Sequence, residues 1–243
     1  SKKNENGVLN LGAVGSGPIA QYASLREYLP IKDVKNVLWM FYGGNDISDF
    51  NQELRNEILL KYIDNKDFSQ NLKSNQKIID EILIDLQNKI YLSKKKDFLK
   101  LYNLRSFLKQ FAFKSKKETQ NLDDFFKEEE FKNLMQKANE FVKSNGAKLS
   151  FVYLPPYVSL LNNQDLKLIK NLDYKNNELI NYKQYKKVIK IINDLKIPII
   201  DIKTEVFDKS ENPFAFYPFE LPGYHYNEIG YKSISDVIIK NVN

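Results

Sequence analysis

The chain alternates between short unbroken apolar runs and longer stretches where apolar residues recur every three or four positions. Val37-Leu38-Trp39-Met40-Phe41 is the clearest run. A strand buried on both faces of a parallel sheet reads this way. Leu149-Ser150-Phe151-Val152-Tyr153-Leu154 and Pro198-Ile199-Ile200-Asp201-Ile202 predict two more strands, and Val8 to Leu11 predicts a shorter one ending at Gly12. Helical spacing fills the intervals. Ile19, Tyr22, Ala23, Leu25 and Leu29 form one stripe, started by Pro18 and stopped by Pro30. Further helices are predicted at about 49 to 63, 69 to 92, 97 to 113, 121 to 145, 178 to 195 and 227 to 242, with Asn145-Gly146 closing the fourth of these. Glu211 to Tyr226 is a loop rich in proline and aromatic residues.

The order is strand, helix, strand, helical insertion, strand, helix, strand, loop, helix. That alternation predicts an α/β fold, a parallel sheet with helices on both faces. The piece from about 50 to 120 is too long for a simple crossover. It reads as a helical insertion over the edge or the active end of the sheet, within a single domain spanning 1–243.

Composition narrows the chemistry. The 243 residues are 42% hydrophobic and 28% charged, enough for a core and a solvated surface. No apolar run approaches the roughly 18 residues a spanning helix needs. There is no cysteine, so thiolate catalysis and Cys-based zinc sites are excluded, and the single histidine, His225, excludes a multi-histidine metal site. No cofactor is expected. The net charge is +6, but the lysines are scattered among Asn, Asp and Glu without a nucleic-acid-binding signature, so no nucleic-acid partner is expected.

Three polar stretches fall where ligands bind in open α/β sheets, beyond the carboxyl ends of strands. They are Asn10 to Pro18, Tyr42-Gly43-Gly44-Asn45-Asp46, and Gly223-Tyr224-His225-Tyr226-Asn227. Gly12, Gly15 and Gly17 read G-x-x-G-x-G, which is not the dinucleotide fingerprint, and no G-K-[ST] marks a P-loop. A nucleophile elbow around Ser16 would need glycines at 14 and 18, where Val14 and Pro18 stand. The loop can equally be a strand-to-helix turn needing positive φ. Asn45 offers a side-chain amide which, beside a Gly15 backbone N–H, could hold a developing oxyanion. It could also cap the following helix, with Asp46 or Asp49 sharing that task. His225 has no competing histidine for a general-base role.

These blocks, Asn10-Leu-Gly-Ala-Val-Gly15, Gly43-Gly-Asn45-Asp46 and His225-Tyr-Asn-Glu-Ile-Gly230-Tyr231, resemble those of the SGNH/GDSL hydrolase superfamily, in particular its bacterial envelope members. The resemblance implies a three-layer α/β/α, flavodoxin-like fold and a serine esterase or O-acyltransferase site. Gly15 and Asn45 would be the oxyanion donors and His225 the base. Gly44, Asp46, Ser16 and Tyr224 would line the substrate, a small-molecule or glycan acyl ester of the cell envelope.

Two departures accompany the resemblance. The family's Gly-Asp-Ser block should precede Val8, and residues 1 to 7 do not contain it. A nucleophile upstream of Ser1 is therefore expected. The family's Asp, three residues before the histidine, is Pro222, leaving Glu220 as a weak substitute. The alternative is an inactive SGNH-like module that binds glycan or serves as a scaffold.

Overall fold

The computed structural model describes residues 7–13, 15–30, 33–99, 126–161, 173–220 and 225–242. The chain divides into two compact units, residues 1–68 with 122–243, and residues 69–121.

The first unit is built on a parallel sheet of β1 (Asn36–Tyr42), β2 (Lys148–Leu154) and β3 (Ile199–Asp201), in the order β1-β2-β3. The pairing register sets Val37 beside Leu149, Phe41 beside Tyr153 and Val152 beside Ile200. The predicted α/β class and parallel sheet are thus observed. Helices in this unit are α1 (Pro18–Tyr28), α2 (Asp46–Glu53), α3 (Glu57–Asp64), α5 (Glu128–Ser144), α6 (Asp173–Lys183), α7 (Tyr185–Asp194) and α8 (Glu228–Val242). In the second unit, α4 runs from Gln76 to Leu99 and exposes Ile78, Ile82, Leu83 and Leu86. The predicted helix at 97 to 113 contributes its first residues to α4, and the remainder lies outside the described residues.

Strand alternation explains the core. Trp39, Phe41, Leu149, Phe151 and Tyr153 point to one face, where α1, α2, α5 and α7 supply Ile19, Phe50, Phe131 and Val188. Phe131 stands edge-on to Phe41 and Phe50, with ring centroids 5.7 and 5.6 Å away. Val152 and Ile200 point to the other face, against Phe207, Tyr217, Tyr226 and the α8 residue Ile234. Among the described residues, β1 pairs only with β2, so its other edge is free.

Val8 to Leu11 is not a strand. Val8 and Leu9 are 86% and 61% exposed, and no strand among the described residues offers them a ladder. The Asn10 side chain accepts the Gly12 N–H at 2.9 Å, a local turn that competes with extended pairing. The predicted helix at 49 to 63 is two helices. Asn56 interrupts it and caps α3, its side chain accepting from Ile58 and Leu59 N–H at 3.0 and 3.2 Å. Residues 50–68, read from sequence as the start of the insertion, belong to the sheet-bearing unit. There Arg26 of α1 donates to the carbonyls of Tyr62, Asn65, Lys66 and Phe68, closing the carboxyl end of α3. Gly146, at φ 76°, ends α5 as expected.

The turn after β1 is packed tightly. A Cβ on Gly43 would lie 2.1 Å from the Tyr153 hydroxyl and 3.1 Å from Pro156 Cδ. Tyr153 is fully buried, so its ring cannot swing aside, and its hydroxyl has no hydrogen-bond partner. Gly43→Ala should cost about 1–3 kcal/mol in urea unfolding. Tyr153→Phe removes an unsatisfied polar group, so it should be neutral or stabilising and should recover part of the Gly43→Ala loss in the double variant.

Candidate functional site

Two of the three nominated loops attach at the carboxyl end of β2, and the third is held from α2. Gly43 N–H donates to Leu154 O at 2.9 Å, which fixes the turn after β1 to the carboxyl end of β2. The Tyr226 and Tyr217 hydroxyls donate to Pro155 O at 2.6 and 3.2 Å, which fixes the segment before α8 to the same end. Asn227 locks that segment further, its side chain donating to Ala215 O and accepting from Gly230 N–H. The Gly15 loop is held from α2. The Glu53 carboxylate accepts Gly17 N–H at 2.7 Å and Ile19 N–H at 2.8 Å, at the amino end of α1. The first turn of α2 is in turn gripped by α6, where Asn181 accepts from Ser48 N–H and donates to Ser48 Oγ.

Gly15 is exposed at φ 77°, the left-handed conformation that the sequence suggested for this turn. With Asp49, Gln52, Glu53 and Asn56 it lines an open depression of about 210 Å³. Ser16 is half-buried and its N–H donates to Ala13 O. Asn45 is exposed at the amino end of α2 but makes no side-chain cap. Its Nδ2 donates instead to Asp49 Oδ2 at 2.7 Å. Gly44 is buried, and a Cβ there would meet the Tyr42 ring at 2.4 Å. His225 is exposed and, among the described residues, has no hydrogen-bond or ion-pair partner. Tyr224 lies outside the described residues. Glu220 does not bond to His225: its side chain accepts from Asn212, and its carbonyl accepts the Tyr157 hydroxyl.

The electrostatics of the site come from α2. Asp46 is buried, accepting Tyr42 N–H at 3.1 Å. Burial pushes its carboxyl well above the usual range, opposed by the Tyr42 N–H and the Gln21 side chain and reinforced by the charges of Asp49 and Glu53. Asp49 and Glu53 are also raised by burial, and in Glu53 the amides of Ile19, Gly17 and Ala20 work against that rise. Beneath these residues lies a buried tyrosine layer. Tyr42 donates to Glu178 at 3.4 Å and Tyr185 to Asp201. Burial raises Tyr42, Tyr153, Tyr217 and Tyr226, so these hydroxyls stay protonated at neutral pH.

Sequence reasoning missed Glu53, and gave Asp49 only a helix cap. Their four-residue spacing on one helix face was visible, but their partners Gly17 and Asn45 gave no pairing signal. Among the described residues no group of three or more His, Asp or Glu could hold a metal ion, and no helix is long and apolar enough to cross a membrane. Compared with known proteins, the chain matches no family model, no curated protein and no solved structure.

Asp46 generates a pH prediction. Its folded-state pKa is raised above the unfolded value, so between the two the folded chain holds the extra proton, and stability falls as pH rises through that window. Asp46→Asn keeps the shape without the charge. Chemical denaturation should show wild type losing stability, relative to this variant, as pH climbs from the ordinary carboxylate range toward neutrality. Parallel pH profiles would contradict the assignment.

Proposed function

We propose that this chain carries the oxyanion donors and general base of an SGNH-type ester hydrolase or O-acyltransferase, acting on an acyl ester of a small molecule or an envelope glycan. The observation that carries the reading is the common anchorage of the two nominated loops at the end of β2. Gly43 bonds to Leu154 O, and Tyr226, the neighbour of His225, bonds to Pro155 O.

In this reading, Gly15 N–H and one proton of the Asn45 amide stabilise the oxyanion of the tetrahedral intermediate. Positive φ at Gly15 leaves that loop's backbone open, with nothing within 4 Å of its missing Cβ. His225 takes the proton of the nucleophilic hydroxyl and returns it to the leaving oxygen. Its exposed ring is free to meet a hydroxyl brought to it. The nucleophile is a serine in a Gly-Asp-Ser block preceding Ser1. That block belongs on a strand, and the free edge of β1 is available to one. The aromatic residues of the loop before His225 divide between two roles. Tyr217 and Tyr226 are buried packing residues, whereas Phe219 is 93% exposed at φ 55° and is free to meet substrate.

The test is aryl acetate hydrolysis by the 243-residue chain and by a chain extended through the codons upstream of Ser1. The extended chain should turn over, and His225→Ala should lower its kcat at least a hundredfold, the lower end of what a positioned base contributes. Activity that survives His225→Ala would refute the reading. Binding of an acylated glycan without turnover in either chain would support a non-catalytic module instead.

A further inference from the structure

We propose that α2 carries two positioning residues, Asp49 and Glu53, one for each oxyanion donor. The inference rests on the reading of the site given above and extends it to side chains that touch neither the substrate nor the reacting atoms.

Asp49 and Glu53 are four residues apart, so they share one face of α2. Both line the depression that Gly15 also lines. Each holds a different donor. Asp49 Oδ2 accepts the Asn45 Nδ2 proton at 2.7 Å. A carboxylate only accepts, so it dictates which end of the Asn45 amide faces it, and the amide cannot turn over. With one Nδ2 proton committed to Asp49, the second has a fixed direction. Glu53 acts on the backbone instead. Its two oxygens take Gly17 and Ile19 N–H, clamping the loop two residues after Gly15. Contact here is close: a Cβ on Gly17 would lie 2.7 Å from Asp49 Cβ and 2.7 Å from Glu53 Oε2. Glycine at 17 is therefore what allows the loop to sit against both carboxylates.

The groups facing the pair are few. Asp46 adds a third carboxylate on α2, α1 presents the amides of Gly17, Ile19 and Ala20 and the Gln21 side chain, and β1 presents the Tyr42 N–H. The charges facing the pair there are negative, so the amides and the Asn45 side chain supply the compensation. An arrangement that sets half-buried carboxylates beside a buried carboxyl group is costly for stability. Its benefit is preorganisation: donors fixed before the oxyanion forms need no reorganisation when it does.

Two isolated measurements test this. The first uses the 243-residue chain and does not depend on any activity. Glu53→Gln can accept only one of the two N–H groups and turns a donor toward the other. NMR hydrogen exchange should rise at least tenfold at Gly17, Ile19 and Ala20, with the Gly15 amide resonance shifted. Asp49→Ala should remove the protection of the Asn45 side-chain amide. Unchanged exchange in both variants overturns the proposal whatever the chain's function. The second uses the extended, active chain with an aryl acetate. Each variant should lower kcat at least tenfold with KM within twofold, because the lost interaction belongs to the transition state. Glu53→Asp, which keeps both acceptor oxygens, should recover part of the Glu53→Gln loss. Wild-type kcat in both variants, or a loss confined to KM, overturns the positioning role. An extended wild type with no esterase activity, while exchange responds as expected, overturns the reading of the site and with it the assignment of these carboxylates to catalysis.

Discussion

Both faces of a parallel sheet must be taken out of water, and here three strands must supply enough surface for that to happen. Trp39, Phe41, Phe151 and Tyr153 require a cover on one side, while Val152 and Ile200 require another on the opposite side. α1, α2, α5 and α7 provide the first, and the aromatic loop with α8 provides the second. Everything at the carboxyl edge follows from where those covers begin. α2 starts directly above the β1 turn, and the aromatic loop is drawn down until two tyrosines reach the Pro155 carbonyl. The candidate site is a by-product of burying a sheet, with polar groups left at the rim.

That rim separates two kinds of polar residue. The tyrosines below it are desolvated and held neutral, all but Tyr153 hydrogen-bonded, and they serve packing. The carboxylates of α2 are held close to one another and partly desolvated, an arrangement that stability alone does not favour. Glu53 offsets part of its cost by satisfying amides that the amino end of α1 would otherwise leave open. Asp49 satisfies Asn45.

Much of the fold was legible because its signals are local. The apolar runs at β1 and β2, the proline that opens α1 and the glycine after α5 each act within a few residues of the element they define. Val8 to Leu11 shows the limit. It has a strand's composition, but a strand needs a neighbour, and composition cannot supply one. The split at Asn56 shows another: an amphipathic stripe continued through 49 to 63 while a side-chain cap restarted the helix. The candidate residues, the glycines, Asn45, Asp46 and His225, were nominated for their residue types, and only Gly43, Gly44, Asn45 and Asp46 directly follow a strand. The supporting bonds were not legible, since Glu53 meets Gly17 across 36 residues and Tyr226 meets Pro155 across 71. Such pairs exist only once the chain is folded.

The unpaired side of β1 has a consequence for how the chain behaves at high concentration. Among the described residues, the seven of β1, Asn-Val-Leu-Trp-Met-Phe-Tyr, have one row of backbone donors and acceptors that no strand pairs, with no proline or charged side chain among them. That is the profile of a self-association template. Met40, already 38% exposed, lies in the middle of it. This strand is thus one place where the chain can self-associate, and a lysine at position 40 would act there as a gatekeeper.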